Sequence, residues 1–467
     1  MNSLDRSARL VLQSASAIPA CFSLLATLPA SFRNSSCAVI PMPDGSSTAH
    51  LYRPKLVTTL TEGYGLAAFR HDVMAGLTVA VVALPLSMAI AVASGVTPER
   101  GLFTAIVGGF LVSALGGSRF QVGGPAGAFI VLVAATVAQF GVEGLLLTVF
   151  VSGLMLTVIG ASGLGSLIRY IPHPVTVGFI SGIAVTILAS QLHDLGGLTL
   201  AGAEPGPFLP KLAALAHALP TLNWSALAVG AGSVAVIFAL RAWRPAWPAM
   251  LIAIVLASVA TLLLHLPIET IGSHFGEIPP GLPAPHLPAF SSSLLLQILP
   301  TALSFTLLGG VESLLSAKVA DGMTGRKHRS NMELVAQGIA NIASALFGGI
   351  SVTGTIARTA TNIRAGARSP LAGMMHSVFL LLFIILAAPL ASYIPLSALA
   401  GVLVVVCWYM AEKEEFLHLI VDWRSAVVLI PTFALTVFKD LTFGIVTGCL
   451  LAALFAGIDR WRQAGKS

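Results

Sequence analysis

Two short glycine-rich interruptions in an otherwise apolar chain constrain its fold most. They read Gln121-Val-Gly-Gly-Pro-Ala-Gly-Ala128 and Gly349-Ile-Ser-Val-Thr-Gly-Thr-Ile-Ala-Arg358. Each runs from an extended lead into residues that favour a helix, and long apolar segments surround both. A helix that begins inside a membrane directs unpaired N–H groups and its positive dipole end at whatever lies opposite. The pair therefore predicts two half-helices that face a shared site, and their electrostatics favour an anion there.

The composition is that of an integral membrane protein. Apolar residues make up 56% of the chain and charged residues 9%, whereas about a quarter of the residues of a soluble domain are charged. Glycine-containing apolar runs without strict alternation favour packed helices over a β-barrel. The net charge of +6 is spread over many short loops, so it does not predict a nucleic-acid partner. The expected surroundings are a lipid bilayer.

The apolar segments predict an all-α polytopic fold of about 14 transmembrane spans. An odd number of spans in each half inverts the second half relative to the first, so we expect 7+7 inverted repeats with half-helices at spans three and ten. The predicted spans of the first half are 72–94, 98–116, 119–138, 142–161, 172–194, 222–241 and 246–265. Those of the second half are 291–318, 331–347, 350–364, 370–391, 395–411, 424–438 and 441–458.

Residues outside the spans complete the predicted organisation. The Ser/Ala/Pro-rich start is expected to be a disordered tail, or the result of a start codon assigned too early, with Met42 as the true start. Lys and Arg concentrate in the loops that follow even-numbered spans, which places both termini in the cytoplasm. The predicted segments are a tail at 1–50, a first repeat at 51–266, a Pro/Gly-rich connector at 267–290, a second repeat at 291–458 and a short tail at 459–467.

Glu312 is the strongest single candidate for ion coupling. It is the only charge in the run Leu299–Ala317. A charge at the centre of a span costs roughly 2.5–3.5 kcal/mol, so we expect it to face a cavity or a partner. It is predicted to be a protonatable carboxylate or a sodium ligand, with Ser316 one turn further on the same helix face. The alternative is a structural carboxylate paired with Arg358 or with a backbone group.

The remaining candidates surround the two helix starts and are predicted to bind substrate. Arg358 can bond an oxyanion through two guanidinium N–H groups; the alternative is an arginine that anchors its helix at the membrane interface. Small side chains leave backbone amides accessible, two threonines add hydroxyl groups, and a serine follows the kink expected at Pro85. These candidates are Ser87, Ala126, Gly127, Ala128, Thr353, Gly354 and Thr355.

An enzymatic function is not expected. The chain has no His/Asp/Glu cluster with metal-ligand spacing and no phosphate-binding glycine loop before a Lys-Ser/Thr pair. No cofactor is predicted apart from Na⁺ as a coupling ion. The residues leave two alternatives to an anion carrier open: a dicarboxylate or nucleobase permease on the same fold, and a passive anion channel.

Several motifs resemble one family, the sulfate permease (SulP) anion transporters. They include Asp72-Val-Met-Ala-Gly-Leu-Thr-Val79, Gly117-Ser-Arg-Phe-Gln-Val-Gly-Gly-Pro125, Val311-Glu-Ser-Leu-Leu315 and Ala357-Arg-Thr-Ala-Thr-Asn362, and the likeness extends over about residues 51–458. The resemblance implies a core domain (spans 1–4 and 8–11), a gate domain (spans 5–7 and 12–14) and an elevator-like cycle. It places a sulfate- or bicarbonate-class anion between spans three and ten.

The resemblance also implies residue roles and a location. Glu312 matches an acidic position that is a sodium ligand, together with Ser316, in some relatives and a proton site in others. Arg358 matches an arginine beside the anion site. The expected location is the bacterial inner membrane. Most members carry a cytoplasmic STAS domain after the last span, and we expect none here; a homodimer through the membrane spans remains open.

Overall fold

A computed structural model describes residues 51–165, 172–202, 205, 207–245, 247–439 and 441–464. The tail predicted at residues 1–50 lies outside this part of the chain. The described chain is almost entirely helical, with two strands of two residues each. The prediction of an all-α polytopic protein is confirmed, since seven described helical stretches are long and apolar enough to cross a membrane and three shorter apolar helices accompany them.

The first half of the chain begins with a short helix and continues with the predicted spans. A π-helical turn, Thr104–Gly108, joins α3 to α4, and a 3-10 turn, Gly127–Phe129, leads into α5. The elements are α1 (Lys55–Thr61), α2 (Leu66–Ala93), α3 (Pro98–Phe103), α4 (Gly109–Leu115), β1 (Gly123–Gly124), α5 (Ile130–Ala161), α6 (His173–Gly196), α7 (Phe208–Ala218), α8 (Trp224–Trp243), α9 (Ala249–Leu263) and α10 (Ile271–Phe275).

The second half repeats the order of long helix, second span, short strand and half-helix. Its strand, β2, occupies the same place in the repeat as β1. The elements are α11 (Ser292–Thr324), α12 (Ser330–Leu346), β2 (Thr353–Gly354), α13 (Ile356–Arg364), α14 (Leu371–Ala391), α15 (Leu396–Met410), α16 (Lys413–Val421), α17 (Trp423–Phe438) and α18 (Leu441–Ala464).

Some span boundaries differ from the predicted ones for identifiable reasons. The third and fourth spans both lie in α5, where Gly141 adopts φ 69° and ψ −176° and interrupts the helix. The residues before Gly127 are extended, so the helical part of span three begins later than 119, the start predicted from hydropathy. Pro85 lies inside the continuous helix α2.

The helices pack into two groups. In the first group, α12 and α11 pack on α5, α14 packs on α2 and α4, and α13 lies between α11 and α2. In the second group, α15, α17 and α18 pack on α6, while α8 packs on α15 and α9. The groups meet where α15 and α9 contact α2. These groups are the predicted core and gate.

Polar side chains on α12 form hydrogen bonds with the non-helical backbone that leads into β2, which allows this backbone to lie in an apolar interior. Asn341 Nδ2 donates to Val352 O (2.8 Å), and Asn341 Oδ1 accepts from Val352 N (3.0 Å). Ser344 Oγ donates to Ile350 O, and Ile350 N donates to Thr104 Oγ1, both at 2.7 Å. Non-helical backbone at membrane depth is tolerated only where such partners satisfy it.

The same helix also holds the lead into β1. Glu333 is fully buried, and its Oε2 accepts from Ser118 N (3.0 Å). Its Oε1 accepts from Gln337 Nε2 (3.1 Å). Gln337 lies one turn before Asn341 on the same face of α12. Helix α12 therefore fixes both interrupted segments, so the two half-helices belong to one packed unit.

Candidate functional site

The two strands pair with each other and bring the half-helices together. They are antiparallel, with Gly123 opposite Gly354 and Gly124 opposite Thr353. Beyond them, Thr355 N donates to Val122 O (3.1 Å). The residues that precede the two helical starts, Ala126 and Thr355, are extended, and no side chain caps either start. The first-turn amides are thus not satisfied by side-chain caps.

Two glycines in these strands leave room for functional side chains. A Cβ atom at Gly124 would lie 1.8 Å from Arg358 Nη1, and one at Gly354 would lie 1.4 Å from Gln121 Nε2. Gln121 Nε2 donates instead to Ser313 O on α11 (3.0 Å). The guanidinium and the amide therefore occupy the space that any larger residue in the strands would need.

Arg358 is a buried cation held only by neutral acceptors. Its side chain is 1% exposed. Nη2 donates to Ser87 Oγ (3.0 Å) and to Pro125 O (3.4 Å), and Nη1 donates to Gly123 O (3.5 Å). Nε has no hydrogen-bond partner, and no carboxylate of the described chain forms an ion pair with Arg358. A guanidinium this deeply buried does not fit the alternative of an arginine anchored at the membrane interface, and its contact with a substrate stays a prediction.

Ser87 and Arg358, both predicted to bind substrate, are in direct contact. The Ser87 hydroxyl also donates to Ala83 O (2.6 Å) within its own helix, and the residue is fully buried. Its geometry is that of a group that orients the guanidinium. Any contact between Ser87 and a substrate stays a prediction.

Glu312 lies on α11 and makes no ion pair with Arg358 among the described residues. Its Oε2 is enclosed without a hydrogen-bond partner, as is the Thr353 hydroxyl. Thr353 Cγ2 is 3.7 Å from the Cβ position of Gly309, three residues before Glu312. Unsatisfied carboxylate and hydroxyl oxygens on adjoining segments are suitable ligands for a hard cation such as Na⁺. The same carboxylate is also a suitable group to carry a proton. The alternative pairing of Glu312 with Arg358 has no support in this geometry.

Ser316 contacts a neighbour that sequence reasoning missed. Its hydroxyl donates to Thr359 Oγ1 (3.2 Å), which also accepts from Val122 N (3.2 Å). Ser316 thereby connects α11 to the half-helix α13 and to the lead into β1. Its role as a sodium ligand beside Glu312 stays a prediction.

The other candidates line the helical starts. Ala126 and Ala128 are buried, and the Thr355 hydroxyl donates to Val122 O (3.4 Å). A Cβ atom at Gly127 would lie 3.8 Å from Met410 Sδ and 3.9 Å from Ile187 Cδ1. Met410 belongs to α15 and Ile187 to α6, so the gate faces this helical start with an apolar surface.

Sequence reasoning also missed Gln121, Ser313 and His376. Gln121 and Ser313 both stand in the quoted motifs, and the Ser313 hydroxyl accepts from Gly354 N (3.3 Å). Gln121 could have been recognised as a polar residue next to the glycines of β1, and Ser313 as a polar residue next to Glu312. His376 is fully buried on α14, and neither ring nitrogen has a hydrogen-bond partner. A single histidine in an apolar run carried no comparable signal.

Comparison with known proteins identifies the class to which this fold and site belong. Residues 69–430 match the sulfate permease family. The chain is a multi-pass membrane protein of that family, whose members transport small anions and are not enzymes.

Individual relatives agree with this assignment. The putative sulfate transporter YvdB of Bacillus subtilis is 42% identical over 396 residues, which cover 84% of this chain and 74% of the relative. The bicarbonate transporter BicA of Picosynechococcus sp. is 31% identical over 398 residues, which cover 82% of this chain and 69% of the relative.

Solved structures show the same fold. The transmembrane domain of a cyanobacterium bicarbonate transporter BicA matches with a TM-score of 0.73 at 32% identity, over 82% of this chain and 98% of that chain. The murine anion transporter Slc26a9 in the inward-facing state matches with a TM-score of 0.81, over 92% of this chain and 75% of that chain. Its 17% identity supports the fold alone.

Proposed function

We propose that this protein is a secondary active transporter of a small inorganic anion of the sulfate or bicarbonate class. The observation that carries the proposal is Arg358, a buried cation that has no acidic partner among the described residues and lies at the junction of two paired half-helix starts. An oxyanion placed there would receive the guanidinium charge and the positive ends of two helix dipoles. The names of YvdB and BicA support the two substrate classes.

Coupling to an ion gradient is assigned to Glu312. The carboxylate and the Thr353 hydroxyl present unsatisfied oxygens within the unit that holds Arg358. A cation or proton bound there would add positive potential near the anion, so each ligand would favour the other. This reciprocity is the minimum that symport requires.

We assign the transport movement to the core, which slides against the gate in an elevator-like cycle. Helix α12 and the strand pair tie both half-helices into the core, while the gate presents the apolar side chains of Met410 and Ile187. An apolar surface offers the core few directional bonds that sliding would break. The inner membrane of a bacterium, with both termini in the cytoplasm, is the proposed location.

The test is uptake of labelled sulfate, bicarbonate and succinate into proteoliposomes, with sodium and pH gradients imposed separately. Saturable accumulation of sulfate or bicarbonate under one gradient is expected. Glu312→Gln should abolish accumulation, while Glu414→Gln, an exposed carboxylate on α16, should not. Accumulation of succinate alone would favour a dicarboxylate carrier. An uncoupled flux that survives Glu312→Gln would favour a channel.

A further inference from the structure

Four cations gather around α1, which precedes the first predicted span. We name Arg53, Lys55, Arg119 and Arg329 the α1 basic cluster. Arg329 Nη1 donates to Arg53 O (2.6 Å) and to Thr58 Oγ1 (2.9 Å). These bonds and that of Lys55 N to Gly116 O (2.9 Å) hold the backbone around α1 against Arg329 and Gly116, which brings the four basic residues into one region.

Of the two carboxylates near this cluster, Glu62 neutralises Arg119 and Asp321 is engaged outside the cluster, so three of the four cations have no paired carboxylate in the described part of the chain. Glu62 is paired with Arg119, and Asp321 accepts from His328 Nδ1 (2.7 Å). Lys55 Nζ has no hydrogen bond or ion pair within the described part of the chain. Partial burial, followed by the neighbouring Arg329 and Arg119, lowers the pKa of Lys55. The cluster therefore has an excess of positive charge that an external anion would offset.

Apolar side chains surround the cluster on the solvent or lipid side. Val57 and Leu60 on α1 are 41% and 53% exposed, and Leu66 at the start of α2 is 67% exposed. Lys55 on α1 and Arg53 just before it thus lie within two turns of these exposed aliphatic groups, a combination typical of the interface between headgroups and acyl chains. A purely aqueous anion would make no use of these aliphatic groups.

We propose that the α1 basic cluster binds the phosphodiester headgroup of an anionic phospholipid, with its acyl chains against Val57, Leu60 and Leu66. Lys55 Nζ supplies a point charge, and the N–H groups of Arg329 that are not bonded to α1 supply directional donors. Basic pockets between membrane helices recognise such headgroups. The occupied site would fix α1 against the core near the leads to both half-helices.

The test measures thermal unfolding of the full chain in detergent during titration with dioctanoyl phosphatidylglycerol. Wild type should be stabilised with a saturable concentration dependence, and dioctanoyl phosphatidylcholine should have much less effect. Lys55→Gln, which removes no observed side-chain bond, should raise the apparent Kd about fivefold, the effect of about one basic residue at a membrane surface. Arg244→Gln, an exposed arginine after α8, should leave the Kd unchanged. Added salt should weaken the wild-type response.

Three results would overturn the proposal. Equal stabilisation by both lipids would show that the headgroup charge is not recognised. Equal stabilisation by soluble glycerol phosphate would identify a free-anion site rather than a lipid site. Equal Kd values for wild type and for the double variant Arg53→Gln/Lys55→Gln, both folded, would place lipid binding elsewhere on the protein.

Discussion

Gly124→Ala should weaken anion binding by displacing Arg358, without removing any polar group from the proposed site. The added Cβ would lie 1.8 Å from Arg358 Nη1 and 2.7 Å from Arg358 Cζ. Ordinary contact begins at 3.4 Å, so the guanidinium must retreat by about 1.6 Å. The strand pairing of Gly124 with Thr353 restrains the backbone, which makes the arginine the group that moves.

The expected loss follows from the hydrogen bonds of Arg358. A retreat of this size separates Nη2 from Ser87 Oγ, at present 3.0 Å apart, and moves the charge relative to the half-helix starts. One hydrogen bond to a charged group contributes about 1.5–3 kcal/mol. Loss of one such bond to the anion would therefore weaken its affinity roughly 10- to 160-fold.

The assay is anion affinity measured by calorimetry on purified protein and by the concentration dependence of uptake. Gly182→Ala on α6 is the control, because its Cβ would contact Thr436 Cγ2 at 2.8 Å and does not meet the guanidinium. It should cost stability while the folded fraction keeps its affinity. Similar affinities for the two variants would refute the assignment of Arg358 to the anion site.

Three further results are expected. Arg358→Lys should lower affinity at least about tenfold, because an ammonium group loses the paired donors of the guanidinium; saturation of uptake measures this. Asn341→Ala should lower the thermal midpoint, because it leaves the buried N–H and C=O groups of Val352 without partners, at about 1–3 kcal/mol per group. The hydrogen bond from Arg119 lowers the pKa of Glu62 below its ordinary value near 4.5. The stabilisation that this pair gives the fold is therefore present above pH 4.5 and is lost as pH falls through the lower folded-state pKa. The difference in thermal midpoint between wild type and Glu62→Gln should shrink in that range.

Hydropathy and glycine placement were sufficient to predict the architecture. Long apolar runs fix the helices because a bilayer permits few other spanning structures. The glycine-rich interruptions predicted the half-helices, and the structure shows why glycine is needed at Gly124 and Gly354: only a residue without a Cβ fits beside Arg358 or Gln121. The site candidates Ser87 and Arg358 also lie together in the structure.

The sequence did not show which distant residues complete these segments. The antiparallel register of Gly123 with Gly354 and the contact of Ser316 with Thr359 depend on tertiary packing between the two repeats. The predicted third span, 119–138, includes the extended lead, whereas its α-helix starts at Ile130 after a 3-10 turn. The backbone of the lead is satisfied in part by Glu333 on α12, a partner more than 200 residues away in sequence.

The inverted repeat explains how the charge of Arg358 can act at a site whose other groups are neutral. The antiparallel strand pair brings the two helical starts side by side, so both positive dipole ends converge. A carboxylate beside Arg358 would neutralise this potential and compete with the substrate. The only carboxylate assigned to coupling, Glu312, lies on α11 and makes no ion pair with Arg358 in the described structure. Under the proposed function, separating the two charges would let a cation or proton at Glu312 strengthen anion binding through space, while the site without an anion would keep its positive potential.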